Sequence, residues 1–287
     1  MSKKILIIGA SGLIGRYLFR HFSNNGNEVI GTYYRTRRNF LFPFDVTNPS
    51  FDNLPSEKFD YAILCSALSK IDECKKNPEY SRKINVEGLE KVLSLLSEKS
   101  IFPIFISGAA VFDGFGQEKE SDLRNPANLY GAQKLEVEDF IKKYLASSLI
   151  VRPGKVFGVN KGEGIFSDWL QMYKNRQQIL CADDENLSLT YAKDLARGIA
   201  CLIEKKAEGV YHINPPEHYT IFEIASKFFD FLGIKNANII KCSLSDICFF
   251  DKRAKNVYLN ASKFIQQTNF RFTPINRCFE LIKKVHL

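Results

Sequence analysis

The sequence predicts an α/β fold: a doubly wound parallel sheet with a smaller C-terminal α/β lobe. Three observations predict it. Short apolar runs open the chain, helix-period segments separate them, and the alternation weakens after about residue 155. Continuous apolar strands joined through helices imply a sheet buried on both faces, because each crossover helix covers one face.

The elements follow in order. Residues 3–8, "KKILII", read as the first strand, and residues 13–23 as the first amphipathic helix. Residues 28–33 and 60–65 are the next strands. A helix over 82–98 carries Ile84, Leu89, Val92, Leu93 and Leu96 on its apolar side. A strand at 103–107 precedes a helix over 125–145, entered through Pro126, and "SSLIVRPG" supplies a further strand ending at Arg152 and Pro153. Residues 194–204 are a helix. Another covers 220–231, opened by Thr220 and Glu223 at capping-box spacing.

Composition narrows the function classes. The 287 residues are 45% hydrophobic, enough for a sizeable core. No apolar run approaches the roughly 20 residues that span a bilayer, and the short run in "MSKKILIIGASG" turns directly into a glycine pattern. A cytoplasmic protein without a membrane partner is expected. Seven scattered cysteines form no CxxC pair and four histidines show no ligand spacing, so neither a disulfide frame nor a metal is expected. The net charge of +8 suits anionic small molecules. Only "RTRR" concentrates that charge, and no nucleic-acid motif surrounds it.

"KILIIGASGLIGRYL" places Gly9, Gly12 and Gly15 between the first strand and the first helix. The first glycine permits the tight turn, the second lets backbone approach a pyrophosphate, and the third allows close helix–strand packing. Residues 1–155 therefore read as an NAD(P)-binding Rossmann domain that also receives about 191–210. Residues 156–190 and 211–287 read as the substrate lobe. From Gly31 to Arg38 there is no acidic residue to hold a ribose 2′-hydroxyl. Arg35 stands where a guanidinium could fork onto a 2′-phosphate, so NADPH is expected in preference to NADH. Arg37 and Arg38 are neighbouring alternatives for that contact.

Tyr130 and Lys134 lie four apart, on one face of the predicted helix. Hydride addition to a ketone creates an alkoxide that needs a proton. A phenol can donate it when a nearby ammonium stabilises the phenolate.

Together these residues resemble the extended short-chain dehydrogenase/reductase family, and most nearly its dTDP-4-dehydrorhamnose reductase branch. "GASGLIG", "CSALSKIDECKKNPEYSRKINVEG", "VFDG", "PANLYGAQKLEVE", "IVRPGKVFG", "LTYAKDLARGIA", "GVYHINPP" and "RAKNVYLNASKF" are similar to that branch in order and spacing. The resemblance implies an NAD(P)H-dependent oxidoreductase that reduces a 4-keto-6-deoxy nucleotide sugar, with a role in polysaccharide synthesis. It implies Tyr130 as general acid, Lys134 as its electrostatic and ribose partner, and Ser107 as a catalytic hydroxyl. Ser11, Leu13, Ile14, Ala67 and Pro153 join the glycines and Lys134 at the cofactor, with Asn85 behind the site and Lys155 near the nicotinamide. Phe112, Asp113, Thr190 and Arg253 are its candidates for lining the substrate. A homodimer through sheet-flanking helices is implied as well.

One position departs. The branch places Ser-Thr or Ser-Ser where this chain has Ser107-Gly108, and the second hydroxyl is the one that meets the substrate carbonyl. Two other functions use this scaffold. One is an epimerase or dehydratase, which the arginine-rich loop and the alanines beside Gly108 argue against. The other is a non-catalytic NADP-binding regulatory subunit, like the β subunit of methionine adenosyltransferase, which resembles the same branch.

Overall fold

The computed structural model describes residues 2–56 and 58–287. The strands in chain order are β1 (Lys4–Ile8), β2 (Glu28–Tyr33), β3 (Phe42–Pro43), β4 (Tyr61–Leu64), β5 (Phe102–Ile106) and β6 (Leu149–Pro153). Four short strands follow: β7 (Lys155–Phe157), β8 (Ile179–Ala182), β9 (Asn186–Leu187) and β10 (Leu189–Tyr191). The chain then returns to the main sheet as β11 (Gly209–Ile213). It finishes its strands with β12 (Tyr219–Thr220), β13 (Ile239–Cys242) and β14 (Asn256–Val257). The helices are α1 (Leu13–Asn24), α2 (Ile71–Lys76), α3 (Pro78–Arg82), α4 (Leu89–Glu98), α5 (Leu129–Tyr144), α6 (Ile165–Lys174), α7 (Ala192–Glu204), α8 (Ile221–Leu232), α9 (Ser262–Thr268) and α10 (Ile275–His286).

Seven strands form one parallel sheet in the order β11-β6-β5-β4-β1-β2-β3. The chain moves outward from β1 to β3, then crosses back to β4 on the other side of β1. That reversal leaves a crevice beyond the carboxyl ends of β1 and β4, the usual ligand position in such sheets. Along β1 the faces alternate: Ile5 and Ile7 pack into one core, Leu6 and Ile8 into the other. The second core is closed by Leu89, Val92 and Leu93 of α4 with Val137 and Ile141 of α5. The first runs under α7 and on into the lobe, where the Phe166 ring lies 4.8 Å from Phe228 and 5.2 Å from Phe279. Each such side chain contributes about 1.5–3 kcal/mol by leaving water.

Three boundaries differ from the sequence reading for identifiable reasons. The last strand of the main sheet reaches Ile213, past the 210 boundary, because residues 209–213 pair in register with 149–153. The long helix expected over 82–98 begins earlier, at Pro78, and contains a π-helical turn at Lys83–Gly88. That turn aims the fully buried Asn85 inward, where it bonds both Leu68 N (2.8 Å) and Leu68 O (3.0 Å). The helix expected from 125 starts at Leu129, because the Asn128 side chain accepts from Gly131 N at 3.0 Å and caps it there. Among the described residues, no helix is long and apolar enough to cross a membrane.

Candidate active site

The glycine loop opens the crevice. Gly9 has φ +89°, and a Cβ there would lie 2.7 Å from Ser66 Oγ, so both handedness and space demand glycine. Gly15 lets α1 sit directly on the loop, since a Cβ would come within 2.3 Å of Gly9 O. Gly12 is the N-cap of α1, without a side-chain cap and without an acidic residue in the first turn. The helix therefore presents free N–H groups and the positive end of its dipole, the donor set a pyrophosphate needs. Ser11, Leu13 and Ile14 are half-buried around it, and the Ser11 carbonyl accepts from Arg16 at 2.9 Å.

At the end of β2, Thr32 Oγ1 accepts from Gly9 N at 3.1 Å and ties that strand to the loop. Arg35 lies two residues beyond the strand, exposed, with its guanidinium donating to the Tyr80 hydroxyl. Arg37 and Arg38 are also exposed. Across the crevice, Ala67 is half-buried in the loop after β4.

The titrating pair sits on the first turns of α5. Lys134 is buried; its ammonium donates to Ile106 O at 2.9 Å and lies 4.7 Å from the Phe105 centroid and 5.8 Å from that of Tyr130. Burial pushes the ammonium down to about 8, against the upward pull of Cys65, Glu138 and Cys74. Burial also raises the Tyr130 phenol above its ordinary value, with Cys74 adding to the shift. The phenol makes no hydrogen bond among the described residues. Pro153, at the end of β6, is buried, and Lys155 is exposed.

Ser107 follows β5 immediately, yet its hydroxyl donates to Glu138 Oε1 at 2.6 Å. A hydroxyl carries one proton, so in this arrangement none is left for a substrate carbonyl. Glu138 itself is fully buried against Arg152, with Nε 2.8 Å from Oε1 and Nη2 2.5 Å from Oε2. Arg152 Nη1 reaches His212 Nε2 at 3.2 Å, and His212 Nδ1 lies 3.1 Å from Asn260 O. A proton on Nδ1 satisfies both contacts. Burial first, then Arg152, pushes this histidine down to about 3, so it is neutral. Gly108 has extended backbone, φ 171° and ψ 173°, and a Cβ there would meet no atom nearer than 4.0 Å.

The other expected residues are placed as follows. Phe112 is buried against the Arg152 guanidinium, 5.0 Å from its ring centroid, and edge-on to His212. Thr190 is buried and donates to Ile213 O at 3.4 Å. Asp113 accepts from Asn125 at 2.9 Å. Arg253 is half-buried, paired with Asp72 at 2.9 Å and stacked on Phe249 at 4.3 Å. Residues 248–253 thus cross from the lobe to α2, and Asp251 Oδ2 accepts from Leu129 N at 3.1 Å beside Tyr130.

Sequence reasoning missed the Glu138–Arg152–His212 group, although a signal existed. An arginine inside the apolar strand "LIVRP" needs a buried carboxylate, and Glu138 stands one helical turn past Lys134. The Asp72 and Tyr80 contacts had no comparable signal.

Residues 3–281 match the family described as RmlD substrate binding domain. The chain belongs to that family. It falls in the dTDP-4-dehydrorhamnose reductase-like group of the extended short-chain dehydrogenase/reductases. It is 25% identical over 272 residues to methionine adenosyltransferase 2 subunit beta of Danio rerio, covering 91% of this chain and 84% of that one. To dTDP-4-dehydrorhamnose reductase of Escherichia coli (strain K12) it is 26% identical over 235 residues, covering 79% and 77%. Its fold matches that of dTDP-4-dehydrorhamnose reductase from Bacillus anthracis str. Ames, solved in complex with NADP, at TM-score 0.86 and 23% identity, covering 98% of each chain. The Rossmann-like α/β architecture expected from sequence is the one observed.

Proposed function

We propose that this protein is an NADPH-dependent reductase of a nucleotide-linked 4-keto-6-deoxy sugar. The observation that carries the reading is the Tyr130–Lys134 pair at the carboxyl edge of the sheet, beside a glycine loop whose helix presents free N–H groups. Bound NADPH would supply the hydride. Gly9, Gly12 and Gly15, with the first turn of α1, would hold the pyrophosphate, and Arg35 would take the 2′-phosphate. Ala67 would face the adenosine ribose, and Pro153 the nicotinamide.

Tyr130 donates the proton to the developing alkoxide. Lys134, fixed by Ile106 O, stabilises the phenolate left behind and would bond the nicotinamide ribose. With the Ser107 proton given to Glu138, the second donor to the carbonyl is a water or substrate hydroxyl in the space at Gly108. Ser107 then acts through Glu138 by fixing the end of β5. Asp113 and Arg253 flank the substrate from the loop after β5 and from the strap at 248–253, and Phe112 and Thr190 shape its walls from behind. The reductase relative acts on a nucleotide sugar, and the solved neighbour holds NADP, both in support of this reading. The cytoplasm is the compartment that supplies both ligands.

A second reading has its own observation. The missing hydroxyl at Gly108 and the similarity to the methionine adenosyltransferase β subunits favour a subunit that binds NADP without turnover. An epimerase or dehydratase, which recycles a tightly held NAD, fits the arginine-bearing loop less well. One experiment separates these readings: NADPH oxidation against a panel of nucleotide 4-keto sugars, wild type beside Tyr130→Phe. Turnover that falls by about 10²–10³ in the variant, with NADPH affinity unchanged, supports the reductase. Normal NADPH binding with no turnover on any sugar moves the assignment to the regulatory subunit.

A further inference from the structure

We infer that Tyr80 is the residue that presents Arg35 to a 2′-phosphate and so sets the cofactor preference of the site. The inference rests on the reading of Arg35 as the 2′-phosphate contact. Arg35 and Tyr80 come from opposite walls of the crevice. The Arg35 wall is fixed to the glycine loop through Thr32 and Gly9 N. Tyr80 stands on α3, and the π-helical turn that follows is pinned to the loop after β4 by the two Asn85–Leu68 bonds. Strands β2 and β4 flank β1 on either side. The guanidinium therefore spans the adenosine end of the crevice when it donates to the Tyr80 hydroxyl.

Three features make this a presenting contact. The Arg35 guanidinium lies 5.8 Å from both the Tyr34 and Tyr80 ring centroids, so two aromatic faces restrict a side chain that would otherwise sweep through solvent. A guanidinium has five N–H donors, and the Tyr80 bond uses one, leaving a fork for phosphate oxygens. The phenol oxygen accepts without charge, so it orients the cation without neutralising it. No carboxylate among the described residues forms an ion pair with Arg35. Ordering a long cation before the ligand arrives lowers the entropy lost on binding.

The test is calorimetric titration with 2′,5′-ADP and 5′-AMP, which differ only in the 2′-phosphate and involve no turnover. Wild type is expected to prefer 2′,5′-ADP, and Arg35→Ala to lose that preference by about tenfold or more. Tyr80→Phe, which keeps the ring and removes the acceptor, should weaken 2′,5′-ADP about three- to fivefold and leave 5′-AMP unchanged. Tyr80→Ala should weaken it further, and Tyr80→Phe should add nothing on an Arg35→Ala background. Tyr80 is exposed, so both variants should keep the wild-type melting profile. If Arg35→Ala removes the preference while both Tyr80 variants retain it, the Tyr80 inference is overturned and the Arg35 reading stands. Equal loss of both nucleotides in Tyr80→Phe would also overturn it, marking a general adenosine wall. If Arg35→Ala leaves the preference intact, the 2′-phosphate reading itself fails.

Discussion

Gly108 is where one residue decides most. Its extended backbone suits any side chain, and nothing lies within 4.0 Å of the Cβ it lacks. A hydroxyl can therefore be added without disturbing the neighbours. Gly108→Ser is expected to raise kcat at least about tenfold on a substrate the protein turns over, given the 10²–10³ associated with one such donor. Its melting temperature should stay close to wild type. Steady-state kinetics read the first and calorimetry the second; an unchanged kcat would mean a water already fills the role. Lys134 sets the pH response at the same scale. Its folded value, about 8, lies below the usual lysine range, so the ammonium is present below pH 8 and lost as pH rises through it. Reduction should decline across that window in a kcat–pH profile, because the phenolate then loses its nearest cation.

At the scale of elements, the position of α5 matters more than its length. Gly131 carries it against the turn Ala109–Val111: a Cβ there would fall 2.0 Å from Ala110 O. Gly131→Ala should push the helix away and lower both stability and Tyr130-dependent turnover. The other side of α5 is held by Glu138 and Arg152, both fully buried. Removing one partner leaves the other charged in the core, so Glu138→Ala is expected to cost about 3–5 kcal/mol in urea unfolding. His212 extends this group into β11 with a sign that can be worked out. Its folded value of about 3 is depressed below 6.5, so the unfolded chain binds the extra proton first. The resulting stability is complete above about pH 6.5 and is lost as pH falls from there toward 3. Urea midpoints across that range should fall, and a His212→Asn variant should show a flatter decline.

For the whole molecule, the question is how the lobe is joined to the sheet. Besides the shared aromatic core and several hydrogen bonds, two ion pairs cross over among the described residues. Glu163 receives Arg16 at 2.8 Å and the Tyr17 hydroxyl at 2.9 Å, and Asp72 receives Arg253 with the N–H groups of Phe250 and Asp251. Asp72→Ala should free residues 248–253 from α2, seen as faster proteolysis there and a higher KM with a smaller change in kcat. Much of this architecture was legible in the sequence. Strand periodicity, the glycine spacing and the Tyr-Lys interval each depend on residues close together in the chain, and local geometry alone makes them meaningful. The fold class, the glycine loop and the helical face of Tyr130 and Lys134 follow from that. What the tertiary structure decided depends on partners far apart in sequence. Ser107 meets Glu138 31 residues away, Arg35 meets Tyr80 45 away, and Asp72 meets Arg253 181 away. Each hydroxyl or charge had several plausible partners in the chain. Only the packing of parallel strands and their crossovers fixed which one lies within hydrogen-bond reach.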